Sequence, residues 1–208
     1  MAINLAAKRA AKANRRKAIV AQKRTPEGAK GSFSSPLPQA AASPIRHCLL
    51  ADSLFENGMG ILILARGGTM GPVSVAVFLL DAYCLGVKDI IHRSVGSSQL
   101  PQIIDRLAGS APLRPVEPAY ARKLLHDLVR WAATFGFHPP QEFAAAERLF
   151  GSIDPGACDA TFEFGKDGKP FYVSGPTESP TTVRRRMNQL LARLGPDGFD
   201  YLVGVPLP

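Results

Sequence analysis

Apolar residues stand in short blocks or alternate with polar ones through the first half of the chain, and recur at spacings of three and four in the second. The strongest block is Val75 to Leu80, six consecutive apolar residues that start β-branched and follow the breaker pair Gly71-Pro72. It predicts a buried strand covered on both faces. Ile45 to Ala51 and Ile61 to Ala65 predict two more strands, with a polar turn and the glycines Gly58 and Gly60 between them. Gly67-Gly68 and Gly71-Pro72 leave far too little chain for the crossover a parallel pair needs, so these strands form an antiparallel meander.

Val87 to Ile91 fits either a short strand or a helical turn. Leu100 to Ala108 predicts a brief helix, and Gly109 to Pro118 a proline-rich loop. A helix then runs from Pro118 to Phe135, because Leu124, Leu128, Trp131 and Phe135 follow one face and Leu125 and Ala132 widen it. Pro118 suits its first turn and Gly136 its end. Gln141 to Phe150 predicts another helix burying Phe143, Ala146 and Phe150. Phe162 to Phe164 and Phe171 to Val173 flank Gly165-Lys166-Asp167-Gly168 and predict a β-hairpin. In the last helix Ser179 is the N-cap and Val183, Met187, Leu190, Leu191 and Leu194 form the stripe. Phe199 to Val203 reads as a returning strand. Strands first, helices in the middle, then hairpin and helix make an α+β domain over residues 45–208, with helices packed on a largely antiparallel sheet.

Charge adds an appendage to this picture. Of 25 basic and 17 acidic residues, nine and one fall in Met1 to Lys30, which leaves sixteen of each for the rest of the chain. The whole net charge of +8 therefore sits in the first thirty residues. Alanine, lysine and arginine dominate there, and the stretch reads as a helical or disordered arm with charge on several sides and no core-facing stripe. Lys8, Arg9, Lys12, Arg15, Arg16, Lys17, Lys23 and Arg24 are its candidate polyanion-binding residues. Gly31 to Pro44, with three prolines and four serines, reads as a linker.

Such an arm binds phosphates with strong salt dependence and little sequence preference. RNA or the ribosome is the expected partner, DNA less so. An anionic membrane surface fits poorly, since the arm supplies little insertable apolar area. No run approaches the length of a membrane span, and the N-terminal residues lack the apolar core of a secretory signal. A transit peptide is Arg-rich and acid-free like the first 24 residues, but those contain no Ser or Thr. Cys48, Cys84 and Cys158 are odd in number and have no CxxC spacing, which fits a reducing, cytoplasmic compartment.

Candidate chemistry gathers where the buried strand ends: Asp81, Cys84, Lys88, Asp89 and His92. Carboxylates with an imidazole could hold a divalent metal for a nuclease or hydrolase, or a neighbouring base could activate the Cys84 thiol. The structural alternative makes Asp81 a turn cap, Cys84 a small buried hydrophobe, and Lys88 and Asp89 surface charges. His47 and Cys48 are adjacent, so a strand turns them to opposite faces and a shared zinc ion is disfavoured. Arg184, Arg185, Arg186 and Arg193 read as an outward face of the last helix, either solvated or touching an anionic partner. Gly165 to Gly168 lacks phosphate-loop spacing, and no cofactor is named by any motif.

The segments YCLGVKD (Tyr83 to Asp89), LFGSID (Leu149 to Asp154) and FGKDGKPFYVSGP (Phe164 to Pro176), with the GF-x-P stretch at Gly136 to Pro139, resemble a group of uncharacterised bacterial proteins. The resemblance covers most of the domain, implies that it is one coherent unit, and brings no activity, cofactor or site residue with it. The expectation is a non-enzymatic, RNA- or ribosome-associated protein; the alternative is a metal-dependent or thiol enzyme with its site between Asp81 and His92.

Overall fold

A five-stranded antiparallel sheet in the order β4-β3-β2-β1-β5 forms the centre of the fold. Its strands are β1 (Ile45–Ala51), β2 (Met59–Gly67), β3 (Pro72–Asp81), β4 (Gly86–Gly96) and β5 (Leu113–Pro115). The computed structural model describes residues 37–109 and 111–204; the basic arm and its eight candidate residues lie outside the described residues. The meander expected from the short connections is present and gains a fourth member. Of the two readings of Val87 to Ile91 the strand is the one formed, and it is longer than expected: β4 runs from Gly86 to Gly96 along β3, with Lys88 bulged out of the register.

Strand alternation sends the side chains of this sheet to two dry layers. On the first face Cys48, Leu50, Leu62, Leu64, Ala76, Phe78 and Leu80 meet α4 (Pro118–Thr134) through Ala121, Leu124, Leu125 and Leu128. The same layer takes Ala146 from α5 (Phe143–Glu147) and Leu149 and Phe150 from the 3₁₀ turn that follows it. On the second face Leu49, Ile63, Ala65, Val73 and Val75 meet Leu100 at the start of α3 (Leu100–Ala108). β3 is thus covered along its first face and, on the second, at its Val73–Val75 end, while Val77 and Leu79 are only half-buried. Each fully buried Leu or Phe contributes roughly 1.5–3 kcal/mol, so the two layers dominate the stability of the domain.

Four expectations change. Within the stretch read as a linker, Leu37–Ala42 forms a helix, α1. Its alanines favour the helix, Pro38 is tolerated in the first turn, and Ala40 packs on the first layer. Two side chains hold the adjoining backbone: Arg66 donates through Nη1 to the carbonyls of Ala41 and Ser43 (3.0 Å to the latter) and through Nη2 to that of Phe150 at 3.0 Å. Arg122 donates to Gly151 and Ile153 at 3.1 and 2.5 Å and pairs with Glu147. A four-residue helix α2 (Leu54–Asn57) fills the β1–β2 connection. The proline-rich loop contains β5, which pairs with β1. The helix expected over Gln141 to Phe150 is a five-residue α5 that tightens into a 3₁₀ turn at Arg148–Phe150.

The predicted hairpin is not formed either. Lys166 and Lys169 make one isolated bridge, while β6 (Phe171–Val173) pairs in parallel with β7 (Asp200–Leu202). The aromatic residues before the turn are drawn off by α4 instead: Phe162 meets Tyr120 edge-on at 5.0 Å and Phe164 lies 6.0 Å from Trp131. A third apolar cluster unites the end of α4 with β6, Phe199 and α6 (Pro180–Leu194). It contains Cys84, Leu85, Ala132, Phe135, Tyr172, Leu190 and Phe199. Ser179 caps α6 as expected, its side chain accepting the Thr182 N–H at 3.2 Å.

Candidate functional site

The turn from β3 into β4 is built around Asp81. Its Oδ1 accepts the N–H groups of Cys84 at 2.8 Å and Tyr83 at 3.1 Å, with the residue only 3% exposed. Burial pushes its carboxyl above the ordinary range, against those N–H donors and the nearby Lys88. Two glycines let the turn sit close to its surroundings. At Gly58 (φ +72°) a Cβ would collide with the Tyr83 ring, whose hydroxyl donates to the Glu56 carbonyl at 2.5 Å. At Gly86 (φ +71°) a Cβ would stand 2.7 Å from the Ala132 methyl group, so β4 can press against α4 only with glycine there.

Of the five residues singled out around this turn, the structure brings together Asp81, Cys84 and Lys88 and separates Asp89 and His92. Asp89 is on the second face of β4, opposite Leu79, and its carboxylate accepts the Ile90 N–H at 2.8 Å. His92 is opposite Ala76 and belongs to the first face. Cys84 is fully buried, and its thiol is pushed well above the ordinary range by burial and by Asp81, so it is protonated at neutral pH. Cys48 is likewise buried, with burial and then Glu117 pushing it up to about 12. His47 and Cys48 point to opposite faces of β1. Among the described residues no group of three His, Cys, Asp or Glu side chains could hold a metal ion.

What joins Lys88 instead is a set of groups from the other end of the domain. Glu178 Oε1 lies 2.5 Å from Nη1 of Arg186 and 3.5 Å from Nζ of Lys88, and Oε2 accepts the Tyr172 hydroxyl at 2.5 Å. Burial opposes the charge on Glu178, but Tyr172 and Arg186 outweigh it and hold the carboxyl below its usual range. Burial and Glu178 push the Tyr172 phenol up to about 12. Arg186 therefore does not belong to an outward arginine face: it turns inward, while Arg184, Arg185 and Arg193 are exposed. Sequence spacing could have found it, because Val183, Arg186, Met187 and Leu190 stand at i, i+3, i+4 and i+7 on one face of α6. Nothing in the sequence pattern marks Tyr172 or Glu178 as its partners.

Beside this network a groove of about 620 Å³ runs between the Ser174–Pro180 loop, α6 and β7; Val183, Met187 and Tyr201 give it an apolar wall and Arg184 a cation. Both oxygens of Glu178, which reaches the same groove, are already engaged, so the carboxylate is a structural anion and not a free base. Asp81 is tied differently: its Oδ1 accepts the turn N–H groups while burial raises its carboxyl. Asp81→Asn keeps an Oδ1 acceptor for the turn and is expected to fold with stability within about 1 kcal/mol of the parent, whereas Asp81→Ala costs about 2 kcal/mol. Equal losses in the two variants, measured by urea unfolding, would contradict the turn-cap role.

The chain matches no protein-family model, no curated protein sequence and no solved structure.

Proposed function

We propose that this protein associates with RNA, ribosomal RNA first, through the basic segment Met1 to Lys30, and that the domain following it is a folded body without a reaction of its own. The observation that carries the reading is the segregation of charge: the first thirty residues hold all eight net positive charges, and the remaining residues are balanced. Lys8, Arg9, Lys12, Arg15, Arg16, Lys17, Lys23 and Arg24 are the phosphate contacts. Two features of the domain support the second half of the reading. Asp81 spends its carboxylate on the turn N–H groups, and Cys84 is a sealed, protonated thiol. DNA is the weaker alternative, and a duplex DNA of equal length titrated beside the RNA separates the two.

Counterion release sets the expected salt dependence. Eight contacted phosphates on a single strand give a log–log slope of roughly −5 to −6, so affinity falls about a thousandfold between 50 and 200 mM salt. Titrating a fluorescent single-stranded RNA with the intact chain and with a chain beginning at Phe33 measures this directly. Removal of the basic segment is expected to weaken binding at least a hundredfold while the circular dichroism of the domain is retained. Equal binding by both chains at equal salt would sink the proposal. RNA co-purified at low salt and released by high salt identifies the target.

A further inference from the structure

β4 is the outermost strand of the sheet among the described residues, and the sheet treats its two edges differently. The β5 edge is blunted: it is three residues long and ends in Pro115. The β4 edge runs for eleven residues without a proline. Short strands, prolines, bulges and edge charges are the ordinary guards against association; β5 has the first two, while on β4 the bulge at Lys88 lies near one end and leaves Asp89 to Gly96 in unbroken register.

The second face of β4 presents Asp89, Ile91 and Arg93, all exposed, in that order along the strand. Ile91 is 49% exposed, and its register neighbour Val77 is only half-buried, because α3 covers the opposite end of this face around Val73 and Val75. Asp89 and Arg93 are four residues apart in an extended strand, a separation of about 13 Å, so they cannot pair with each other within one chain.

A twofold axis through Ile91 pairs them between chains. With two antiparallel copies of the strand, residue 89 of one lies opposite residue 93 of the other, twice over, and the two Ile91 side chains meet at the centre. The patch is complementary to itself in charge and in apolar character, which is what an isologous contact requires. We propose that a second copy of this chain docks on the Asp89–Ile91–Arg93 patch, with Ile91 on the dyad and two Asp89–Arg93 ion pairs across it. The ion pairs lie at exposed positions, which makes the association sensitive to salt, and a dissociation constant of micromolar order is expected.

Sedimentation velocity of the full chain between about 1 and 200 µM tests this. A monomer–dimer equilibrium is expected. Arg93→Asp or Asp89→Arg alone places like charges opposite one another at two symmetry-related positions and is expected to raise the dissociation constant roughly tenfold or more. The double variant Asp89→Arg/Arg93→Asp restores opposite charges and is expected to recover the dimer. Ile91→Lys is expected to abolish it, and Tyr201→Ser, on the exposed strand β7, to leave it unchanged. All four substitutions are at exposed positions, and circular dichroism checks that each variant is folded. A chain that stays monomeric throughout this range, a dimer indifferent to the single charge reversals, a double variant that fails to recover it, or a dimer lost in Tyr201→Ser overturns the proposal.

Discussion

Replacing Arg66 with alanine lowers the free energy of unfolding by about 3 kcal/mol, among the largest effects expected of a single substitution in this domain. Arg66 sits in β2, in phase with Leu62 and Leu64, and is 8% exposed. Its guanidinium is stretched between three carbonyls: Ala41 and Ser43 at the end of α1, and Phe150 at the end of the 3₁₀ turn. Each hydrogen bond to a charged group is worth roughly 1.5–3 kcal/mol in place, and water entering the vacated site recovers part of that for the carbonyls. Arg66→Lys is expected to recover less than half the loss, because a single ammonium on a flexible stem cannot span donors to three separate acceptors as the planar fork does. Denaturant unfolding of the two variants measures the effect; a loss below about 1 kcal/mol for the alanine variant would remove the clamp from the account. A chain beginning at Ile45 should behave like Arg66→Ala, since it lacks two of the acceptors, and one beginning at Phe33 should not.

The second large effect is at Glu178. Glu178→Ala leaves Arg186 and Lys88 facing one another and deprives the buried Tyr172 hydroxyl of its acceptor. Breaking a mostly buried charge network in this way costs about 2–4 kcal/mol at neutral pH. The pH dependence has a definite sign. The folded carboxyl of Glu178 lies below its ordinary value of 4.5, so its contribution is complete above that value and is lost as pH falls through the lower, folded one. The stability gap between the parent and Glu178→Ala should be constant from neutral pH down to about 5 and close in stronger acid. Asp81 works in the opposite direction, since burial raises its folded value and the folded protein takes up that proton before the unfolded chain does. The comparison must therefore be between the two proteins at each pH and not along one curve. A gap that persists undiminished at pH 3 would contradict the ionised state assigned to Glu178.

How much of this could be read beforehand follows from what kind of signal each element leaves. β1 to β3, α4 and α6 write their faces into the period of apolar residues, and the short glycine-rich connections fix the antiparallel order. Arg66 and Arg186 also fall in phase with buried neighbours, Arg66 by strand parity and Arg186 by helical spacing. Their charge argued for the surface, and only the carbonyls and the carboxylate waiting inside reverse that. α1 was hidden because prolines and serines on both sides outweighed three alanines, while its stability comes from Arg66 and the first layer. The hairpin failed for a different reason. Gly165 to Gly168 does turn the chain, but Phe162 and Phe164 gain more from the aromatic side of α4 than from pairing, and β6 finds its partner nearly thirty residues later in β7. Within the candidate site, Asp81 and Cys84 were visible as an oddity at a strand end, whereas Tyr172 and Glu178 lie in a stretch with no period at all.

That late pairing divides the domain in time as well as in space. The meander closes through short connections, but the third cluster is closed by Phe199 and Val203, which flank β7, a strand exposed at every position and held to β6 by a parallel pair only three residues long. Its local opening requires less energy than unfolding the sheet. Cys84 belongs to this cluster and Cys48 to the layer between the sheet and α4. The two sealed thiols therefore serve as separate clocks: the rate at which a thiol reagent captures Cys84 reads the breathing of the C-terminal lobe, and the rate at Cys48 reads the lifetime of the whole fold.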